Sequence, residues 1–197
     1  GLDMDMVDDV YRENLEALVE SGRVPEKVLD EAVRRILRVK FRLGLFEKPY
    51  IEELPDEQRY LSIEARAAAR ELAAESMVLL KNSGATLPVA GDVRRIALMG
   101  PMADNRADLM GSWWGQGEAG DVVTILEGVK AEFAGKARID YVKGCDFDGE
   151  DRSEFARAAA AARAADLVVL CVGEKRGWSG ENASRAGLAL PSIQEEF

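Results

Sequence analysis

A chain of 197 residues, 47% hydrophobic and 31% charged, has the composition of a globular protein with room for a sizeable core, not of a disordered one. Acidic side chains outnumber basic ones 36 to 26, and the net charge of −10 argues against a surface for nucleic-acid phosphates, which needs clustered Lys and Arg. Histidine is absent from this stretch, so it cannot supply a Ser-His-Asp or Cys-His site and a typical zinc site is not expected, leaving carboxylates, Lys, Tyr or backbone dipoles to do any chemistry.

The chain opens with Gly1-Leu-Asp3-Met4-Asp5-Met6, two acids alternating with two methionines, which on its own reads as a frayed terminus. This stretch lacks the basic and apolar regions of a secretory signal, so the compartment stays open. A first helix is predicted from Val7 to about Glu20, ending at Ser21-Gly22. A second follows Pro25, which suits a first helical turn, and is stopped by Gly44. On it Leu29, Ala32, Val33, Ile36 and Leu37 recur at i, i+3, i+4, i+7 and i+8, an apolar stripe with no partner within residues 1–46. That stripe is expected to pack against something outside the segment or to drive self-association. Residues 47–62, with Pro49, Pro55 and a run of acids, read as a linker.

Residues 63–197 read as a second domain. Ile63 to Ser76 is Ala- and Glu-rich and helical, passing into the apolar Met77-Val-Leu-Leu80. Arg95 to Met99 is a predicted strand ending at Gly100-Pro101. Thr124-Ile-Leu-Glu127 is a capping box opening a helix that buries Leu126, Val129 and Phe133. Ile139 to Val142 is a strand, Ser153 to Ala165 an Ala-rich helix, and Leu167 to Val172 a strand. Alternating β and α with continuous apolar strands predicts an α/β fold, a partial doubly wound and mainly parallel sheet covered on both faces. No apolar run approaches the roughly 20 residues of a membrane span. Two cysteines are too few for a disulfide framework, and Cys171, inside an apolar run, reads as a small buried hydrophobe.

Two loops stand out as sites. Leu167 to Val172 stops at the polar, Gly-rich segment Gly173 to Arg185, at the carboxyl end of a strand, where α/β proteins bind ligands. Glu181 sits within it, close in sequence to Trp178. An aromatic neighbour that desolvates a carboxyl group keeps it protonated and fit for general acid work; the alternative is a solvated loop acid. The segment Met110 to Gly117 carries Trp113 and Trp114, whose faces suit the C–H faces of sugars. One indole is expected to plug the core and the other to face a ligand. Nucleotide binding is disfavoured: Gly173 and Gly177 do not open a helix, Pro101 removes an amide after the first strand, and no Gly-Lys precedes Ser or Thr.

In linked order the segments resemble glycoside hydrolase family 3, and within it the bacterial β-glucosidase branch. Gly1 to Met6 is similar to the segment after the family's last barrel strand, and Arg35 to Phe46 to its closing helix. Ala74 to Asn82 with Leu87-Pro88 is similar to the start of its second domain, and Ser179-Gly180-Glu181 with Arg185 and Leu190-Pro191-x-x-Gln194 to the loop bearing its acid/base. The resemblance implies that residues 1–46 are the end of a TIM-type (β/α)8 barrel, that 47–62 link it onward, and that 63–197 are an incomplete α/β sandwich.

It further implies a retaining, exo-acting β-glycosidase without cofactor or metal, most simply a β-glucosidase, acting on a β-linked oligosaccharide or glycoside. A β-xylosidase, a β-N-acetylglucosaminidase or a non-catalytic sugar-binding or scaffolding domain are the alternatives. Carried over by position, Glu181 is the general acid/base, Trp113 or Trp114 is the aromatic wall of the aglycone site, Met4 or Met6 lines the sugar pocket, and Arg185 supports the Glu181 loop. Lys81 and Asn82 take structural roles. The Ser-Asp-Trp motif of the family's nucleophile is absent, so the chain is expected to be inactive without the rest of a barrel. A periplasmic or secreted parent is expected.

Overall fold

The computed structural model describes residues 2–53, 55, 60–191 and 193–197. Five of the residues assigned to the linker, 54 and 56–59, lie outside the described set, as does Gly1. Two compact units emerge, Gly1–Val78 and Leu79–Phe197.

The first unit is helical. Helix α1 spans Val10–Glu20, α2 Glu26–Arg42 and α3 Ile63–Glu75. Pro25 stands just before α2, where its fixed φ and missing donor cost nothing. Gly44 ends α2 with φ 68°: its N–H donates to Phe41 O and that of Leu45 to Lys40 O, the paired bonds of a Schellman cap. The Ser62 hydroxyl caps α3 by accepting from the Ala65 N–H at 3.2 Å. None of the three helices buries a residue among those described, and the stripe on α2 leaves Val33 and Leu37 exposed. Arg35 forks onto both carboxylate oxygens of Asp3 at 2.6 Å, holding that acid below the usual carboxylate range and fixing the opening segment to α2. The linker reading places α3 with the second domain, whereas the compact units divide after it, between Val78 and Leu79.

The second unit carries the sheet. Strands β1 (Arg95–Met99), β2 (Arg138–Val142) and β3 (Leu167–Leu170) pair in parallel in the order β2-β1-β3. Helix α4 (Arg106–Leu109) is a single turn after β1, α5 (Ile125–Glu132) links β1 to β2, α6 (Phe155–Arg163) links β2 to β3, and α7 (Ile193–Glu196) ends the chain. The chain steps from β1 to one side and then crosses back to the other. Right-handed crossovers require α5 and α6 to cover opposite faces. The alternation along β1 shows that they do. Ala97 and Met99 pack with Val142 and Ala158 of α6, while Leu98 packs with Leu126 of α5, Ala103 and Cys171.

The capping box is formed as its sequence predicts. Glu127 N donates to Thr124 Oγ1 at 3.2 Å, and Thr124 N donates to a Glu127 carboxylate oxygen at 2.9 Å. At the opposite end of the sheet, Asp166 accepts from the amides of Arg94 and Arg95, both at 2.9 Å, so its carboxyl is held below the usual range. Asn82 closes the turn to Leu87, donating to its carbonyl at 2.7 Å and accepting from its N–H at 3.1 Å.

One expectation needs correction. The apolar run Leu167 to Val172 predicts burial on both faces, yet Val168 and Leu170 are 40% and 51% exposed. They share a face with Ala97 and Met99, which α6 covers over β1 and β2 without reaching the outer side of β3. A shallow apolar groove of about 290 Å³ results, lined by Met99, Ala158, Val168, Leu170 and Phe197 among others.

Candidate functional site

The strand order decides where a site can form. After β1 the chain leaves towards β2, while β3 lies on the other side of β1, so the loops after β1 and β3 flank a topological switch point at the carboxyl ends of the strands. Gly100 and Cys171 bring these loops together. Gly100 has φ 108°, and a Cβ there would lie 2.3 Å from the Cys171 carbonyl oxygen, so only glycine permits this approach. The Met102 N–H then donates to that carbonyl at 3.0 Å.

The loop after β1 turns through α4, capped by Asn105, whose side-chain oxygen accepts from Asp108 N at 2.8 Å. It continues through Gly111 and Ser112 into Trp113 and Trp114. The loop after β3 is braced at its root by Gln194, 3% exposed. This side-chain amide accepts from Gly173 N at 2.8 Å and donates to Gly173 O and Phe147 O, each at 2.9 Å. A 3-10 turn at Arg176–Trp178 follows, and then a four-residue turn closed by Ala183 N donating to Gly180 O at 3.2 Å. Glu181 and Asn182 are the central residues of that turn. Asn182 has φ 60°, a conformation asparagine tolerates well, and the turn displays Glu181 at its tip.

Between the loops lies an open cleft of about 400 Å³. Glu181, Trp113, Trp114, Arg176, Ser112 and Ser179 are among its lining residues, and Glu181 is the one carboxylate there among the described residues. Trp113 is 74% exposed and Trp114 45%, so neither indole enters the core, against the expectation that one would. The Arg176 guanidinium lies 5.1 Å from the Trp114 ring centre, a cation–π contact that fixes both walls.

Trp178 does not desolvate Glu181 as its closeness in sequence suggests. Its ring meets Phe147 edge-on at 6.4 Å, with Lys175 at 4.8 Å and Arg185 at 5.6 Å, and Glu181 is exposed. Arg185 spans the loop: it pairs with Glu174 at the root and donates to Ala189 O at 3.1 Å beyond the turn. Met4 and Met6 belong to the first unit, and both are exposed.

Sequence reasoning missed Arg176, Ser112 and Asp108. The first was visible only as one of two arginines in a loop, and the others had no local signal at all. Among the described residues, no group of three or more Cys, Asp or Glu is placed to hold a metal ion, and no helix is long and apolar enough to cross a membrane. The cleft can present an exposed proton donor or acceptor beside two aromatic faces and one guanidinium.

The chain is similar to known proteins. Residues 77–197 match the model of the glycosyl hydrolase family 3 C-terminal domain. A periplasmic beta-glucosidase of Salmonella typhimurium is 37% identical over the whole chain, and a beta-xylosidase of Formosa agariphila 32% identical; the chain spans 29% of the length of each. The crystal structure of a beta-glucosidase from Listeria innocua in complex with isofagomine superposes with a TM-score of 0.84 at 36% identity, over 98% of this chain and 26% of that one.

Proposed function

The chain belongs to glycosyl hydrolase family 3, and from that membership we propose that it forms part of a retaining, exo-acting β-glycosidase in which Glu181 is the general acid/base. The observation that carries the assignment is the turn Gly180–Ala183, which sets one carboxylate at the rim of a cleft walled by Trp113 and Trp114. A leaving sugar stacked on the indoles would bring its glycosidic oxygen to that carboxyl group. Retention of configuration requires a second carboxylate about 5 Å away on the other face of the bond. Among the described residues the cleft lining supplies one carboxylate, Glu181, so in this reading the nucleophile comes from the rest of a longer protein, and residues 1–197 alone do not turn over.

The substrate is a β-glucoside, in line with the beta-glucosidase names of the Salmonella and Listeria proteins. A β-xyloside is the second reading, favoured by the Formosa beta-xylosidase. Hydrolysis of paired aryl β-glucosides and β-xylosides by the longer protein separates the two. A periplasmic or exported parent fits the name of the Salmonella relative.

Glu181→Gln in the longer protein tests the mechanism. General acid assistance is worth roughly 10²- to 10⁴-fold and matters least when the leaving group departs unaided. Alkyl glycosides should therefore lose far more rate than dinitrophenyl glycosides. Equal losses on the two substrates would remove Glu181 from this role.

A further inference from the structure

We propose that Ser112, with Asp108, is a latch that positions Glu181, so that the loop carrying the two tryptophans also sets the proton-donating carboxyl group. The proposal rests on Glu181 being the acid/base. The Glu181 turn has little holding of its own: its described contacts inside the turn are one hydrogen bond, Ala183 N to Gly180 O, and an isolated bridge between the same residues. The residues immediately before it are held from outside. Ser112 Oγ lies 2.6 Å from Ser179 O and 2.9 Å from Arg176 O, with Ser179 Oγ at 3.2 Å. A hydroxyl has one proton and two lone pairs, so Ser112 donates between the two carbonyls and accepts from the Ser179 hydroxyl.

Asp108 adds a charged acceptor. Its Oδ1 takes the Arg176 N–H at 2.8 Å, while its Oδ2 takes the Asn105 side-chain amide at 2.8 Å. The acceptor is thereby fixed before Arg176 reaches it. The third attachment is steric. Gly180 has φ 116°, and a Cβ there would lie 2.8 Å from Ser112 Cβ and 3.2 Å from its Oγ, so the Gly180 backbone meets the Ser112 side chain with no room for a side chain of its own. Residues 176, 179 and 180 are thus all registered against residues 108–112, and Glu181 is the next residue along. Trp113 follows Ser112 directly. A ligand that stacks on the indoles and orders Trp113 therefore orders Ser112, and through it the Glu181 turn.

In the longer protein Ser112→Ala removes the hydroxyl without adding bulk. A displacement of about 1 Å at a reacting group costs on the order of 10²-fold, so a loosened latch should lower kcat/KM for alkyl glycosides by roughly 10- to 100-fold. Activated dinitrophenyl glycosides should lose far less, and Ser112→Thr, which keeps the hydroxyl, should restore the alkyl glycoside rate. Asp108→Asn weakens the bond to the Arg176 amide and should show a smaller defect of the same selectivity. Thermal unfolding of each variant separates loss of fold from loss of position. Glu181→Gln is measured in parallel. If it is selective and both Ser112→Ala and Asp108→Asn are not, the latch is refuted and the acid/base role stands. If Glu181→Gln is itself unselective, the acid/base role fails and the latch with it.

Discussion

Gln194→Leu removes the brace at the root of the Glu181 loop while keeping an apolar side chain of similar reach. Gln194 is 3% exposed and makes three hydrogen bonds, at 2.8, 2.9 and 2.9 Å. A net value of about 1 kcal/mol for each gives about 3 kcal/mol, and the half-buried Gly173 and buried Phe147 groups left without partners add to it. Burial of the leucine methyls returns about 1 to 2 kcal/mol. The expected loss is therefore about 2 to 4 kcal/mol. With a urea slope of about 1.5 kcal/mol per M, the unfolding midpoint of the sheet unit should fall by roughly 1.3 to 2.7 M, followed by far-UV circular dichroism. Gln194→Glu sharpens the test. Its carboxylate would accept from Gly173 N–H but face two carbonyl oxygens, which raises its folded-state pKa above about 4.3. Stability relative to the parent should then decline as pH rises through the folded pKa, because the unfolded chain ionises freely. A Gln194→Leu midpoint within about 0.3 M of the parent would refute the brace.

Three further outcomes are expected. Gly100→Ala forces a Cβ to 2.3 Å from Cys171 O at φ 108° and should cost roughly 2 to 5 kcal/mol. A melting temperature unchanged from the parent would show that the two loops can separate there. Burial pushes the Cys171 thiol up to about 11 and raises that of Cys145 as well. Both thiols should resist alkylation at pH 8 until denaturant is added, and stability should fall as pH rises from about 9 to about 11, where the unfolded thiols ionise first; full labelling of the native chain at pH 8 would contradict the burial. The exposed stripe on α2 should make the isolated chain associate, with Val33→Glu or Leu37→Lys reducing the effect in sedimentation velocity. A concentration-independent monomer would rule this out.

The local features of the fold could be read directly from the residues. Gly44 announces its helix end, Thr124 and Glu127 their capping box, and Arg95 to Met99 their strand, because each depends on neighbours within five positions. The loop bearing Glu181 was visible for the same reason: an apolar run stops at glycine. What the sequence hides is pairing across distance. Ser112 and Ser179 are 67 positions apart and meet only because β3 returns beside β1, an order that periodicity does not encode. Trp178 lies three residues from Glu181, yet its ring is taken up by Phe147, Lys175 and Arg185. One of Trp113 and Trp114 is expected in the core, yet both are exposed, and the Arg176 guanidinium lies over Trp114 instead. Val168 and Leu170 look like central-strand residues, while α6 stops short of them.

The cation–π contacts at the cleft have a spectroscopic consequence. The chain has three tryptophans, and all of them, Trp113, Trp114 and Trp178, lie on the two loops that meet at the switch point. The helical first unit contains none. Indole emission from this chain therefore arises entirely within the second unit, at one end of its sheet. With Arg176 over one ring and Lys175 and Arg185 over another, its intensity and wavelength follow the seating of these cations. The molecule carries its own optical probe of whether the Glu181 loop and the tryptophan loop are joined, readable without a label and before any substrate is added.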